Sequence, residues 1–382
     1  MSETFILHSA RLVLADRVID NGYVAVAGGA IAEIGDGKPP EAGIDCGGDL
    51  VMPGLVELHT DHIEAHVMPR PKVHWDTISA VISYDAQIAT SGITTVLDSL
   101  RVWREEGAED ADGQALELAT AIDEARKADL LRVEHFLHLR CEVPMPNVIG
   151  EAQELIGRPE VRLLSLMDHT PGQRQFRDPQ KLREYYRSKS GGLSDAQLDA
   201  MFSRRLEHAA NHAARNYAGL VALASRHATP LASHDDTTLE HVEQAIVDKV
   251  AVAEFPTTIE SAEKLHRAGI RVMMGAPNLV RGGSHSGNVA TRDLARAGTL
   301  DIMSSDYVPS SLLSAALMLP QMAENYDLPA AVRTVTKTPA EVIGFTDRGE
   351  IAPGKRADLI RVHRAGKAAT VRGVWSGGRR VA

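Results

Sequence analysis

Histidine and aspartate residues that could bind a metal ion stand at the end of an apolar run near the amino end of the chain. The run covers residues 51–61 and delivers His59 and Asp61 at i, i+2 spacing. In a strand this spacing puts both side chains on one face, and neutral imidazole is the commonest metal ligand among side chains. A buried histidine followed by a turn-capping aspartate would give the same pattern, so this segment alone leaves both interpretations open.

Three later apolar runs end in the same kinds of residue, namely His169, His234 and Asp306. Each instance alone could be a helix cap or a solvated loop charge. Imidazole and carboxylate groups are the ligands of catalytic zinc and related ions. Because the pattern recurs in four separate segments, it predicts a mononuclear or dinuclear catalytic metal centre.

A fifth segment, residues 131–143, adds Glu142 near its end. Two divalent ions about 3.5–4 Å apart need a bridging anion, and Glu142 could supply it, with Arg140 directing the anions of a substrate. A structural ion pair between Arg140 and Glu142 is the alternative. Glu134, on the same face, comes too early in the segment to reach its carboxyl end.

The elements that must position these residues alternate between strand and helix. Eight candidate strands are predicted, ending near His59, Asp98, Glu142, His169, His234, Glu254, Gly275 and Asp306. Helical patterns lie between them at residues 113–129, 148–156, 194–227, 238–248 and 259–268. This alternation predicts an α/β protein with a (β/α)₈ barrel, in which active-site residues lie at the carboxyl ends of the strands.

The two ends of the chain carry short strand-like segments separated by glycine turns. Neither end is large enough to bury a sheet face alone. We therefore expect residues 1–50 and 349–382 to pair into one small β-sandwich domain beside a catalytic barrel of residues 51–348.

Composition narrows the functional classes. The 382 residues carry a net charge of −10, which argues against a general binder of nucleic acid or of anionic membranes. Cys46 and Cys141 cannot form a disulfide framework, residues 1–16 lack the features of a signal peptide, and no apolar run approaches the ~20 residues that span a bilayer. We therefore expect a soluble, cytoplasmic protein, with a homo-oligomer left open.

Several segments resemble the amidohydrolase superfamily. They are Pro53-Gly54-Leu55 with His59-Thr60-Asp61, residues 91–96, the histidine-ending strands, Ser304-Ser305-Asp306-Tyr307, and residues 354–359. The resemblance covers essentially the whole chain. It implies a metal-bearing (β/α)₈ barrel beside a small β-sandwich built from both chain ends.

Narrower segments, residues 59–66, 69–71, 138–142 and 305–309 with Trp75, are similar to the α-D-ribose 1-methylphosphonate 5-triphosphate diphosphatases of the carbon–phosphorus lyase pathway, the PhnM family. That resemblance implies hydrolysis of a phosphorylated ribose to its 5-phosphate and diphosphate. It implies a metal-ligand set of His59, Asp61, Glu142, His169, His234 and Asp306, with Asp306 also acting as the catalytic proton acceptor. The implied cofactor is two divalent ions, and mixed nitrogen and oxygen ligands suit zinc, manganese or iron.

Two departures from the superfamily pattern stand out. Many members carry a second histidine where this chain has Asp61, a change that the phosphonate family shares. His169 and His234 follow the fourth and fifth predicted strands, which is one strand earlier than the usual positions in the superfamily. Either a strand is missing from the count, or a ligand is misassigned.

A polyphosphate substrate requires a locally basic pocket despite the negative net charge. The candidate substrate-binding residues, all after predicted strands, are Arg70, Lys72, Arg140, Arg174, Arg177, Arg281, Ser284 and His285. The last three lie in the glycine-rich segment 278–288, which could cradle a phosphate or form a flexible lid. Residues 185–192 could be a second lid or a solvated loop, and His62 and His66 could orient metal ligands.

Two other functions stay open at this stage. The same metal centre could hydrolyse a C–N bond, as in a deaminase, a cyclic amidase or a deacetylase, because a fold does not fix a function. A metal-free barrel that serves as a scaffold is the other alternative. It would be expected to lose metal ligands, and all six positions here carry competent side chains.

Overall fold

The strands of the protein form two sheets. The computed structural model describes residues 4–103, 114–177, 179–189, 194–284 and 287–382. Its strands are β1 Phe5–Val13, β2 Val18–Ala27, β3 Ala30–Asp36, β4 Ile44–Asp45, β5 Leu50–Pro53, β6 Leu55–Thr60, β7 Ile93–Arg101, β8 Glu134–Glu142, β9 Val161–Met167, β10 Leu231–His234, β11 Val252–Glu254, β12 Arg271–Gly275, β13 Ile302–Ser304, β14 Leu359–Ala365, β15 Ala368–Ser376 and β16 Arg379–Arg380.

The strands β6 to β13 form a parallel barrel sheet in chain order. A parallel bridge between Thr60 and Asp306 brings its first and last strands together, and the Asp306 amide donates to the carbonyl of His59 at 3.1 Å. The predicted eight-stranded barrel is therefore confirmed. His169 follows the fourth barrel strand and His234 ends the fifth, so no strand was missing from the count.

Helices connect the barrel strands and cover the outside of the sheet. They are α1 Ile63–Val67, α2 Thr77–Thr90, α3 Gln114–Lys127, α4 Val148–Leu155, α5 Pro179–Lys189, α6 Asp195–His208, α7 Ala214–His227, α8 Leu239–Val247, α9 Ile259–Arg267, α10 Ala276–Arg281, α11 Thr291–Arg296, α12 Ser311–Met322, α13 Leu328–Arg333 and α14 Lys337–Val342. A π-helical segment, Ala209–Ala213, joins α6 to α7. The long helix predicted at residues 194–227 is therefore confirmed as one continuous helical segment.

The predicted loop over residues 185–192 needs a correction at its start. Residues 185–189 form the end of α5, because the segment is flanked by helix-compatible residues and α5 packs on α6 through Leu182 and Phe202. Residues 190–192 lie outside the described part of the chain, as does His285.

Apolar side chains divide between two sides of the barrel wall. Alternate residues such as Val56, Leu58, Leu97 and Leu163 face inward and form a buried cluster inside the barrel. The other face of each strand packs against the helices in a larger cluster. This two-sided burial is typical of parallel strands, and it leaves the carboxyl ends of the strands to carry polar groups.

The remaining strands, from both ends of the chain, form one mixed sheet in the order β16-β15-β14-β5-β1-β2-β3, with β4 beside β1. The Ile31 amide donates to Lys355 at 2.8 Å, which links β3 to the chain before β14, and the sheet encloses its own apolar cluster. Among the described helices, none is long and apolar enough to cross a membrane.

Candidate metal centre

Three imidazoles converge at the carboxyl end of the barrel. The ring centroids of His59 and His234 are 5.8 Å apart, and those of His169 and His234 are 5.5 Å apart. His59 and His234 are buried, at 1% and 6% exposure. The first, fourth and fifth barrel strands therefore deliver the predicted histidines to one place.

Glu254, the last residue of β11, holds two of these rings. Its Oε1 lies 3.1 Å from Nδ1 of His59, and its Oε2 lies 2.9 Å from Nδ1 of His234. Ser165 donates a further hydrogen bond to Oε2 at 2.7 Å. A carboxylate on Nδ1 fixes the tautomer and orientation of the ring, and it raises the basicity of the ligand nitrogen. Nε2 is thereby left as the ligand atom of both histidines.

The electrostatics of this buried group agree with that arrangement. Burial opposes ionisation of Glu254, but His59 and His138 outweigh it and hold the pKa of Glu254 well below its ordinary value. Burial likewise lowers the pKa of His59, yet Glu254 outweighs it and raises that pKa overall. The imidazole is thus a basic group beside a fixed negative charge, which favours a cation at Nε2.

Glu142 holds the third ring. Its Oε2 lies 2.6 Å from Nδ1 of His169, and its Oε1 accepts from the His169 amide at 2.7 Å. Burial opposes ionisation, but the contacts with His169 lower the pKa of Glu142 to about 2. Both oxygens of Glu142 are therefore occupied by His169, and its predicted role as a bridging metal ligand stays a prediction.

Asp235 completes a cluster that the sequence analysis did not identify. Its Oδ2 lies 3.5 Å from Nε2 of His234 and 4.0 Å from Nε2 of His169. This oxygen is buried and has no hydrogen-bond partner among the described residues. The backbone of Asp235 is held at a φ of 54°, in the left-handed region that non-glycine residues seldom adopt. An orphaned carboxylate oxygen that faces two imidazole nitrogens fits a metal ligand.

The donor atoms thus form two groups suited to a cation. One consists of His59, His234 and Glu254, and the other of His169, His234 and Asp235. In the first group Glu254 already contacts both Nδ1 atoms and orients the rings, so the second group, with Asp235, is the better candidate for direct ligands. In each group the ligand atoms lie within 4.8 Å of one another. Nitrogen and carboxylate oxygen donors in this mixture suit zinc, manganese or iron, so the side chains fit the implied cofactor.

The two other predicted acidic ligands lie beside this centre. Asp61 accepts from Arg140 at 3.1 Å, and Arg140 and His59 outweigh burial and lower the pKa of Asp61. Asp306 follows β13 with a φ of 54°. Burial, with the neighbouring Asp61, raises the pKa of Asp306 to about 6, although His59 and Arg140 limit the rise. A carboxyl group with that pKa is suited to proton transfer near neutral pH.

The predicted substrate-binding residues occupy different environments. Arg140 is largely buried against Asp61. Arg281 is exposed, with Nη1 3.5 Å from the Tyr307 hydroxyl, and Ser284 is half-buried. The other exposed members of the set are Arg70, Lys72 and Arg177. The roles of these residues in substrate binding stay predictions.

Arg174 lies against the segment that carries the metal ligands. Its Nη1 donates to the carbonyl of His234 at 2.6 Å and to Oδ1 of Asp236 at 3.0 Å. Ser233 donates to the other oxygen of Asp236. With 13% of its side chain exposed, Arg174 braces the backbone that bears His234 and Asp235, and a contact with substrate stays a prediction.

His62 lies beside Asp306 rather than in the donor groups. Its Nδ1 is 3.1 Å from the carbonyl of Tyr307, and its Nε2 is 3.1 Å from Oε1 of Gln87. His66 contacts the same Gln87 oxygen at 2.9 Å. These contacts join the segment after β13 to α1 and α2. The predicted role of His62 and His66 in orienting metal ligands stays a prediction.

Two comparisons establish the family. A model of the amidohydrolase family matches residues 199–382, and one relative is 44% identical over 379 residues, which is 98% of this chain and 100% of the relative. The chain therefore belongs to the amidohydrolase family. That relative is the alpha-D-ribose 1-methylphosphonate 5-triphosphate diphosphatase of Escherichia coli (strain K12).

More distant proteins are also similar to this chain, in sequence or in structure. An N-acyl-D-glutamate deacylase of Alcaligenes xylosoxydans xylosoxydans is 26% identical over 89% of this chain and 63% of the relative. The 5-methylcytosine deaminase of Klebsiella pneumoniae has a TM-score of 0.66 at 18% identity, with 99% of this chain and 98% of that chain covered. The N-acetyl-D-glucosamine-6-phosphate deacetylase of Mycobacterium smegmatis has a TM-score of 0.64 at 16% identity, with 99% and 100% covered. At such identities the solved structures show the fold alone.

Proposed function

We propose that this protein hydrolyses α-D-ribose 1-methylphosphonate 5-triphosphate to the 5-phosphate and diphosphate. The observation that carries the proposal is the 44% identity across the full chain to a diphosphatase of that substrate. The proposal is supported by the donor groups at the barrel end, which could hold the metal ions that such a hydrolysis requires. The reaction breaks a phosphoric anhydride bond with water and belongs to phosphonate metabolism.

We propose that His59, His169 and His234 hold two divalent ions through their Nε2 atoms, with Asp235, Asp61 and Asp306 as the carboxylate ligands. When bound, such ions lower the pKa of a water molecule to about 7 and neutralise phosphoryl oxygens. Zinc, manganese and iron all suit the donor set. In this assignment Glu254 orients His59 and His234, and Glu142, predicted from the sequence as a bridging ligand, instead orients His169.

Other side chains would accept the proton and bind the anionic groups of the substrate. Asp306 accepts the proton of the attacking water at its carboxylate, because its raised pKa makes it a base near neutrality. Arg140 stays paired with Asp61 at 3.1 Å and keeps a positive charge beside the reacting phosphorus. We propose that Arg70, Lys72, Arg177, Arg281 and Ser284, with His285, meet the outer anionic groups of the substrate.

The two cysteines support a proposal for the cellular setting. Cys46 and Cys141 are both free and buried, as expected in a reducing compartment. We propose a cytoplasmic protein that acts on a small phosphorylated sugar.

The proposal is tested by incubating the metal-loaded protein with ribose 5-triphosphate and measuring diphosphate and orthophosphate separately. We expect diphosphate with equimolar 5-phosphate. Hydrolysis of cyclic amides or N-acyl amino acids in a parallel panel, without diphosphate release, would instead support the C–N hydrolase alternative.

A further inference from the structure

A small side pocket opens beside the candidate metal centre. Glu142 and His169 form one wall, and the rest is lined by Trp103, Pro144, Met145, Thr170, Arg205 and His208. Its volume of about 40 Å³ corresponds to roughly three water molecules. This volume is suited to one phosphoryl group and is too small for a ribose or a nucleobase.

The wall of this pocket contains a buried threonine whose hydroxyl has no hydrogen-bond partner among the described residues. Thr170 is 3% exposed, and its Oγ1 makes no hydrogen bond to any described residue. Buried polar groups are nearly always paired, and an unpaired one is costly in a folded protein. The oxygen itself has almost no accessible surface, so a ligand in the pocket would become its hydrogen-bond partner once the side chain rotates about its Cα–Cβ bond.

Two basic side chains of α6 also line the pocket. Arg205 and His208 are three residues apart and so lie on one face of the helix. The guanidinium of Arg205 lies 5.1 Å from the ring centroid of Tyr186 and donates to its hydroxyl at 2.6 Å. This contact fixes the direction of the side chain, and a guanidinium has five N–H donors in a geometry that matches phosphate oxygens.

The long helix is anchored to the wall of the same pocket. Nδ2 of Asn216 donates to the carbonyls of Val143 and Met145, at 2.9 and 2.7 Å. The π-helical segment Ala209–Ala213 lies between this anchor and Arg205. Such segments change the face that a helix presents, and they are frequent at functional sites. The π turn therefore sets which side of α6 meets the pocket.

We propose that this pocket binds a phosphoryl group of the leaving diphosphate, held by Arg205, His208 and Thr170. This inference rests on the proposed function. The pocket shares Glu142 and His169 with the metal centre, so its occupant must be a near neighbour of the attacked phosphorus. The diphosphate meets that requirement, whereas the methylphosphonate lies across the ribose ring.

The test is calorimetric titration of inorganic diphosphate and, separately, of ribose 5-phosphate into metal-loaded protein freed of excess ion. For Arg205→Gln we expect diphosphate binding about 10- to 100-fold weaker, the effect of one lost hydrogen bond to a charged group, with ribose 5-phosphate binding unchanged. Thr170→Val should weaken diphosphate binding several-fold without lowering the thermal midpoint, because it removes an unpaired hydroxyl at constant shape. Arg204→Gln, an exposed neighbour on the same helix, is the matched control and should change neither ligand.

The inference is overturned if both pocket variants bind diphosphate as the wild type does, or if they lose both ligands in equal proportion. A selective loss of ribose 5-phosphate would also overturn it, since the pocket would then hold the other end of the substrate. Diphosphate release by the wild type tests the proposed function separately. If the wild type releases diphosphate from the substrate but Arg205→Gln binds diphosphate as tightly as the wild type, the pocket inference is contradicted and the proposed function is not.

Discussion

Glu254 couples two imidazoles from different strands through a single carboxylate. Its two oxygens lie 3.1 Å from Nδ1 of His59 and 2.9 Å from Nδ1 of His234. Because an ionised carboxylate only accepts hydrogen bonds, both rings must carry their proton on Nδ1. Both Nε2 atoms are then without a proton and available as the metal ligands that we propose.

Glu254→Gln should therefore weaken metal binding. The amide offers one acceptor and one donor, so one ring is forced into the wrong tautomer, and such outer contacts are worth roughly 10–100-fold in metal affinity. The measurement is competition for Zn²⁺ against a chromophoric chelator. Glu260→Gln, an exposed change on α9, is the control. Equal affinity in Glu254→Gln and wild type would contradict the orienting role.

Asp306→Asn should abolish most of the turnover while the fold stays intact. Asparagine has nearly the same shape but cannot accept a proton, and a positioned general base contributes roughly 10²–10⁴-fold to the rate. Steady-state kinetics with circular dichroism checks both parts of this expectation. Asp36→Asn, exposed in the terminal sheet, should have wild-type kinetics. Substantial activity in Asp306→Asn would show that another group takes the proton.

At the scale of the elements, a buried histidine joins α2, β7 and β8 away from the site. Nδ1 of His135 lies 2.9 Å from Oδ2 of Asp98, and its Nε2 lies 3.3 Å from Oδ1 of Asp85. Burial lowers the pKa of His135, but the two carboxylates outweigh it and raise the pKa to about 9. The cation thus fastens a helix to two neighbouring strands.

This raised pKa predicts a pH dependence of stability. A histidine whose pKa is higher in the folded state stabilises it fully below the unfolded pKa of about 6.5, and the contribution is lost as pH rises through about 9. The difference in thermal midpoint between wild type and His135→Asn should therefore shrink between pH 6.5 and pH 9.5. The same comparison with His227→Asn, exposed at the end of α7, should show no such trend. A difference that is constant with pH would mean that His135 is neutral in the folded protein.

The elements were more predictable from the sequence than the site. Strand ends and helix caps are local signals, and the turns at His59, His234 and Asp306 follow buried apolar runs that any barrel strand must have. Glu254 and Asp235 were missed as site residues because Glu254 was taken only as the end of a strand and Asp235 only as the residue after His234. A charged residue ending the apolar run 250–253 was the available signal. The partner of Arg174 was not predictable, because a long side chain can reach solvent or a neighbouring carbonyl from the same backbone position.

For the whole molecule, one carboxylate ties the barrel to the carboxyl-terminal segment. Arg348 and Arg356 each donate to one oxygen of Glu134, at the start of β8 and therefore at the end of the barrel opposite the site. Burial opposes ionisation of Glu134, but the two arginines outweigh it and lower its pKa. This contact lies at the end of the barrel opposite the candidate metal centre. Its removal should therefore change the stability of the protein and leave catalysis unchanged.

Glu134→Gln should lower the stability by roughly 1–3 kcal/mol, less than for a fully buried pair because 35% of the glutamate side chain is exposed. The kcat and KM should be unchanged at a temperature where the variant is folded. Thermal unfolding and steady-state kinetics measure the two effects, with Glu124→Gln on α3 as an exposed control. A fall in kcat at full folding would indicate that the two ends of the barrel are coupled.

The central claim is that three histidines from separate strands bind divalent ions through their Nε2 atoms. The most direct measurement is a crystal structure of the protein loaded with Zn²⁺ or Mn²⁺, with anomalous scattering to locate the ions. We expect anomalous peaks within about 2.0–2.2 Å of Nε2 of His59, His169 and His234 and of carboxylate oxygens, with Glu254 still on the Nδ1 atoms. Saturating metal without a peak between these rings, or with the rings turned away from one another, would contradict the claim.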